Sequence, residues 1–247
     1  MQLAFTDTIG ADEVPNEDSL LPEFGENNLF LLNRFPGRDA RETGLRLNAG
    51  INYTRLTADG WSVRATLGRV FKLEDDLAFN TGTGLREASS DYVTAVFFDA
   101  PFGLGFRSRA LFDDGLEFKR ADLELDYNST PFDASASYTF LAEDDTDPDL
   151  GFLEERQEIT LASRYRIRPN WEVSAEWTYD LATSESVSAE GTLTYGNECI
   201  EAKLGVERRF TSSLDVTADT QFSFSVNLLG FSAPASQGWP KQDCRGI

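Results

Sequence analysis

The chain has no histidine and one methionine, and only 22 lysines and arginines stand against 42 aspartates and glutamates, for a formal charge of −20 over 247 residues. Without histidine there is neither the usual general base of a Ser-His-Asp hydrolase nor the commonest metal ligand, which disfavours histidine-dependent hydrolases. The acidic balance argues against nucleic acid, whose phosphates it would repel. No apolar run is long enough for a membrane helix, so a helical membrane protein is excluded. No Gly-rich phosphate-binding loop is present, and no cofactor is expected. Met1 to Asp7 has neither a basic start nor an apolar stretch with a cleavage site. With no secretory signal ahead of the first candidate strand, the chain reads as a mature or truncated piece of something longer.

What is present is alternation. From about residue 45 to about residue 230, runs of roughly ten residues alternate apolar and polar side chains and are separated by short turns, the pattern of a transmembrane β-strand. Trp171, Val173, Ala175, Trp177, Tyr179 and Leu181 interleave with Glu172, Ser174, Glu176, Thr178 and Asp180. A strand points successive side chains to opposite faces, so one face is apolar and the other polar. Phe132, Ala134, Ala136, Tyr138 and Phe140 oppose Asp133, Ser135, Ser137 and Thr139, and Ile159, Leu161, Tyr165 and Ile167 oppose Glu158, Thr160, Arg164 and Arg166. A charge facing lipid at the midplane costs about 2 to 4 kcal/mol, which makes this segregation informative. Aromatics recur near the ends of the runs, as in interfacial girdles, whereas a soluble sandwich reserves them for its core. The expected fold is all-β, an antiparallel transmembrane β-barrel of about twelve strands in an outer membrane. A content of 26 % charged residues is compatible with it, because lumen, loops and turns hold the charge.

The turns orient the strands. Pro169 cannot donate to a ladder, so Arg168-Pro169-Asn170 is a tight turn, assigned to the periplasmic side. Counting outward, 58–60, 101–103, 128–131 and 196–197 fall on the same side and are short. The opposite side receives 73–91, 113–115, 143–153, 183–186 and 211–215. The strands between them read 45–57, 61–72, 92–100, 104–112, 116–127, 132–141, 158–167, 171–181, 187–195, 199–210 and 216–229, with a further strand at 2–8. Lys119 and Arg120 interrupt the alternation and suggest a bulge or an extension at the outer rim. Three regions follow: an N-terminal strand and long loop (1–44), barrel strands (45–231) and a periplasmic tail (232–247). The loop 12–41 is rich in Pro, Asn, Asp and Glu and contains the apolar patch Leu29-Phe30-Leu31-Leu32, so it lies outside the cell or folds inward to plug part of the lumen.

The acidic groups Asp75-Asp76, Asp113-Asp114 and Glu143-Asp144-Asp145-Thr146-Asp147 lack the spacing of a closed calcium loop and read as solvated outer loops. The cysteines, Cys199 and Cys244, belong to an oxidising compartment on this reading. They could bond to each other, or each could tie a separate periplasmic domain to the barrel; an unpaired tail thiol is the plain alternative.

Particular residues carry a resemblance. Val14-Pro15-Asn16-Glu17-Asp18-Ser19, then Asn28-Leu29-Phe30, then Asn33-Arg34-Phe35-Pro36-Gly37-Arg38-Asp39 with Glu42 and Gly44, resemble the LPS-assembly protein family of the outer membrane, LptD (OstA). Tyr195-Gly196-Asn197-Glu198-Cys199-Ile200, Arg208-Arg209-Phe210-Thr211-Ser212-Ser213 and the stretch from Phe222 to Phe231 look like that family's last strands. The resemblance implies that the chain is about the second half of a larger barrel whose periplasmic jellyroll and first strand lie outside it. It implies no catalysis: lipopolysaccharide would be carried to the outer leaflet with a lipoprotein plug (LptE) and periplasmic bridge proteins as partners. Cys199 matches the family's barrel cysteine, which pairs with an amino-terminal domain. Many relatives have adjacent cysteines there; here Glu198 precedes Cys199, so a second bond would use Cys244 or be absent.

On this resemblance the last strand would form one side of a seam that opens to lipid, with Asp219, Gln221, Ser223, Ser225 and Asn227 on its lumen face, polar and nearly uncharged; a plain structural role fits those residues equally. The alternatives are a self-contained barrel acting as a channel or adhesin, and a soluble periplasmic β-protein with its aromatic faces buried.

Overall fold

Alternating β-branched and aromatic residues favour a pleated, half-buried surface, and the described residues form twelve strands along that alternation. The structure, a computed structural model, describes residues 1–6, 24–35, 42–76, 79, 81–143, 155–197, 199–211 and 217–228. The strands are β1 (Gln2–Thr6), β2 (Gly44–Leu56), β3 (Ser62–Lys72), β4 (Tyr92–Asp99), β5 (Leu104–Phe112), β6 (Phe118–Ser129), β7 (Phe132–Leu141), β8 (Arg156–Arg168), β9 (Trp171–Asp180), β10 (Glu185–Gly196), β11 (Ile200–Arg209) and β12 (Thr220–Leu228). They pair in chain order, with β1 and β12 at the two ends of that order. The expected all-β architecture and strand count hold.

The chain divides into two compact units: Met1–Pro101 with Gly105–Glu124 and Thr139–Arg156, and Phe102–Leu104 with Leu125–Tyr138 and Gln157–Ile247. In the first, β1 to β5 pair antiparallel, with Asn48 opposite Val70, Gly50 opposite Gly68, Gly68 opposite Val93 and Val93 opposite Leu111. These residues share one face with Arg46, Asn52, Arg64, Phe97 and Arg109. In the second, β8 to β12 pair antiparallel, with Arg166 opposite Glu172, Glu176 opposite Glu190 and Glu190 opposite Glu207. Their other face carries Leu161, Tyr165, Ile167, Val173, Trp177, Leu193, Leu204 and Val206, all exposed. An aromatic and aliphatic face open on this scale is what a lipid-facing surface looks like, and it is not the buried core that a soluble sandwich requires.

Boundaries differ from the sequence reading by a few residues for local reasons. β1 is described over Gln2–Thr6, and residues 7 and 8 of the expected strand lie outside the described residues. The Asn197 side-chain oxygen accepts from the N–H groups of Cys199 and Ile200 at 2.9 and 2.8 Å, an Asx turn that keeps Cys199 out of the ladder, so β11 starts at Ile200. Asp180 likewise accepts from Ala182 and Thr183, closing the turn 181–184. A register shift sits between Arg166 and Arg168, beside the Pro169 turn. Most of the loop 12–41 and the whole tail 232–247 lie outside the described residues.

Candidate functional site

The described part of the N-terminal loop, 24–35, lies on the polar face of β2 to β5. Its apolar side chains need cover: Leu29 is fully buried and Phe24 and Phe35 nearly so, packed with Val70, Phe79, Leu85, Val93 and Leu111. Val70, Val93 and Leu111 are the positions where the polar face turns apolar. Leu29 fits there because Gly50 and Gly68 are opposite each other; a Cβ on Gly50 would lie 2.8 Å from Leu29 Cδ2. Phe35 stacks on Phe79 with ring centroids 4.5 Å apart.

Charge locks the segment. Arg34 Nη1 donates to Glu42 Oε2 at 2.6 Å, the Arg34 N–H to Glu42 Oε1 at 2.8 Å, and its other nitrogens to the carbonyls of Asn28 and Leu29 and to Asn48 Oδ1. Arg46 Nε lies 3.6 Å from the same carboxylate, and Arg46 donates to the Leu32 carbonyl and to Thr6 Oγ1. A buried charge is tolerable only when paired and hydrogen-bonded, and one carboxylate serves two arginines here. Burial lowers the Arg34 pKa, with Glu42 working against it. Thr6 donates to the Glu42 carbonyl and Asn48 to Gln2, which ties β1 to the same network.

At the end of β3 away from the 57–61 turn, Arg69 points to the apolar face. Its guanidinium donates to the Ser90 carbonyl and to Asp114, and lies 4.2 Å over the Tyr92 ring. This cation near a strand end breaks the apolar alternation and is satisfied by the loop that follows. Asp91, outside the strands, packs against Gly84 and donates its backbone N–H to the Gly84 carbonyl. Burial pushes its carboxyl up to about 6, with Asp113 and Glu87 adding to the shift and Lys119 and Arg69 opposing it. Asp75 and Asp113 accept backbone N–H groups of Ala88, Gly115 and Glu117 and so shape their loops. Among the described residues no group of three or more acidic or cysteine side chains is placed to hold a metal.

The structure brings Gln221, Ser223, Ser225 and Asn227 together on one face of β12, opposite Glu207, Gly205, Lys203 and Glu201 of β11. Asp219 lies just before the strand, where its carbonyl accepts from Arg209 N–H at 3.0 Å. The polar face of β8 and β9 carries an ion-pair chain in which Arg164 and Arg166 share Glu172 at 3.4 and 3.7 Å. Cys199 is disulfide-bonded; Cys244 lies outside the described residues. Sequence reasoning missed Arg46, Gly50 and Gly68 as a seat for residues 24–35. The signal was a pair of glycines on the polar parity of adjacent strands, together with an apolar patch in an acidic loop.

A family model described as LptD, LPS transport system D, matches residues 5–171. Among solved structures, a triple mutant of the Rhodopseudomonas blastica porin is similar over 76 % of this chain and 81 % of that chain, at 13 % identity and a TM-score of 0.41. A second mutant of that porin is similar over 74 % of this chain and 79 % of that one, at 13 % identity and a TM-score of 0.40. No curated protein matches the sequence.

Proposed function

The chain belongs to the LPS transport system D family, a transport and not an enzyme family, and is an outer-membrane β-barrel protein, and from that premise we propose that it passes lipopolysaccharide through its lumen and into the outer leaflet by a lateral seam at β12. Lipopolysaccharide is amphipathic: its sugars need a wet, hydrogen-bonding surface while its acyl chains need a way out to lipid. The polar faces of the two units supply the first. The observation that carries the second is β12 itself, which stands at the end of the strand order and has β11 as its ladder neighbour. Its polar parity of Gln221, Ser223, Ser225 and Asn227 carries no charge, so nothing on that face would clamp it to a partner across the seam. Its outward Phe222, Phe224, Val226 and Leu228 are exposed, in keeping with a lipid boundary.

Residues 24–35 fill part of the lumen of the first unit, while Glu176 and Glu190 of the second remain exposed on the polar face, a surface suited to a lipoprotein plug of the LptE kind; periplasmic bridge proteins would deliver the substrate from below. The disulfide at Cys199 would tether the periplasmic rim.

The test is a cysteine pair that locks β12 to its partner across the seam in the full-length protein. Lipopolysaccharide should stop reaching the cell surface under oxidising conditions and resume on reduction. Continued export with the lock closed would overturn the seam. The native protein, probed on gels with and without reductant, should also run far above 27.5 kDa and shift on reduction; a reductant-insensitive band at that mass would point instead to a self-contained channel or adhesin.

A further inference from the structure

The first unit contains a cavity of about 490 Å³ on the polar face, lined among others by Asn52, Thr54, Arg64, Thr66, Phe97 and Arg109. Phe97 is the aromatic residue on this face of β2 to β5, and it is not covered by residues 24–35 as Val93 is. Arginines from the strands on either side of it lie over its ring: Arg64 of β3, opposite Phe97 in the register, at 5.1 Å, and Arg109 of β5 at 5.3 Å. A guanidinium resting on a ring keeps its in-plane N–H groups for a ligand, and the stacking limits its rotamers before anything binds.

The two arginines differ in what they hold. Arg109 Nε donates to Glu26 at 2.7 Å, which anchors it to the segment 24–35. Arg64 is exposed and makes no ion pair with any described carboxylate, its ring contact aside. Beside it, Thr66 donates to Asn52 Oδ1 at 2.8 Å, which orients that amide and leaves its NH2 group as a donor. Arg64 and Arg109 thus converge with side chains that hydrogen-bond hydroxyls, and the Glu26 carboxylate, which also lines the cavity, is engaged by Arg109.

We propose that Arg64, held on Phe97 and flanked by Asn52, Thr66 and Arg109, is a binding site for a phosphorylated saccharide, the phosphate taken by Arg64 and the sugar hydroxyls by Asn52 and Thr66. The proposal rests on the transport reading above, in which the passing ligand is a lipopolysaccharide with phosphate on its sugars. Arg64 is the choice for this task because its planar fork matches a phosphate monoester in two hydrogen bonds, which a lysine ammonium does not.

The experiment places a photoreactive phenylalanine analogue at Thr54 or at Thr192, one at a time, in the full-length protein in cells exporting lipopolysaccharide. Thr192 lies on the polar face of the second unit, and serves as the reference. Capture of lipopolysaccharide at both positions, with Arg64→Ala lowering capture at Thr54 about tenfold and leaving Thr192 unchanged, is the expected result, since one lost charge-assisted pair is worth about a factor of ten. Phe97→Leu should weaken capture at Thr54 less, and Arg64→Lys should restore it in part. With the purified protein, phosphatase-treated lipopolysaccharide should lose the Thr54 crosslink and keep the Thr192 crosslink. Inorganic phosphate at millimolar concentration should leave both crosslinks in place; if it abolishes the one at Thr54, the site holds free phosphate and the saccharide assignment is wrong. Capture at Thr192 alone, or capture at Thr54 insensitive to Arg64→Ala, overturns this site and leaves the transport reading intact. No capture at either position overturns both. Arg64 is exposed and outside the buried network, and an unchanged heat-modifiable band in Arg64→Ala separates lost binding from lost folding.

Discussion

The Arg34 guanidinium and the Glu42 carboxylate meet at 2.6 Å with both side chains almost wholly out of water, at 0 % and 2 % exposure. Arg46, equally buried, shares that carboxylate. Removing one partner of such a set leaves charge without compensation, which costs about 3 to 5 kcal/mol. Glu42→Ala should therefore release residues 24–35 from the polar face, read as protease cleavage within that segment in folded protein and a lower unfolding temperature. Glu42→Gln keeps an acceptor for the Arg34 N–H and should fall between Glu42→Ala and the unmodified protein.

The apolar half of the same anchor is Leu29 on Gly50 and Gly68. Leu29→Ala leaves a cavity between two backbones that cannot close, so the loss should approach the range of about 2 to 5 kcal/mol for such truncations. Gly68→Ala attacks the site from the other side, since its Cβ would come within 2.7 Å of the Ala49 carbonyl oxygen as well as meeting Leu29. Both should speed hydrogen exchange of the Leu31 N–H, which is bonded to the Asn28 carbonyl at 3.0 Å. Gly191→Ala, where a Cβ meets only Val206 at 3.7 Å, should leave that exchange unchanged.

Asp91 gives the loop before β4 a pH dependence. Its carboxyl is raised to about 6 by burial, above the ordinary value of about 3.9. The folded state therefore holds the proton more tightly than the unfolded one, and stability is highest below about pH 4 and declines as pH rises through about 6. The loop formed by 73–91 should be better protected from exchange at pH 5 than at pH 7.5. Asp91→Asn should protect it equally at both, and a pH difference that persists in Asp91→Asn would assign the effect to another group.

Much of this architecture was legible because a β-strand reports its two faces directly. The alternation from Trp171 to Leu181 located β9, which ends one residue earlier at Asp180, and Pro169 located the turn before it. Of Asp219, Gln221, Ser223, Ser225 and Asn227, the last four share one face of β12 because a strand has a period of two, and Asp219 precedes the strand. The seat for residues 24–35 was less legible, since it depends on Gly50 and Gly68 coming opposite each other across a register that the sequence does not print. Arg64 and Phe97 were hidden in the same way: an arginine on the polar parity is ordinary, and only the pairing with β4 puts it over a ring. The start of β11 was misplaced by one residue because the Asn197 side chain, not the alternation, decides it.

Arg69 shows how an outward cation near a strand end is kept. Its guanidinium donates twice to the Ser90 carbonyl, lies over Tyr92 and pairs with Asp114, whose own side chain is 71 % exposed. An ion pair with so exposed a partner is worth little, about 0 to 1 kcal/mol, whereas the buried Ser90 carbonyl left without a donor costs about 1 to 3 kcal/mol. Asp114→Asn should therefore leave the thermal stability nearly unchanged, and Arg69→Ala should lower it clearly and loosen the bridge between Phe71 and Ser89. Arg69→Lys retains the charge but cannot reach the carbonyl with two nitrogens while lying flat on Tyr92, so it should resemble Arg69→Ala more than the unmodified protein. Equal losses from Asp114→Asn and Arg69→Ala would mean that the ion pair, and not the carbonyl and the ring, holds this end of β3 against lipid.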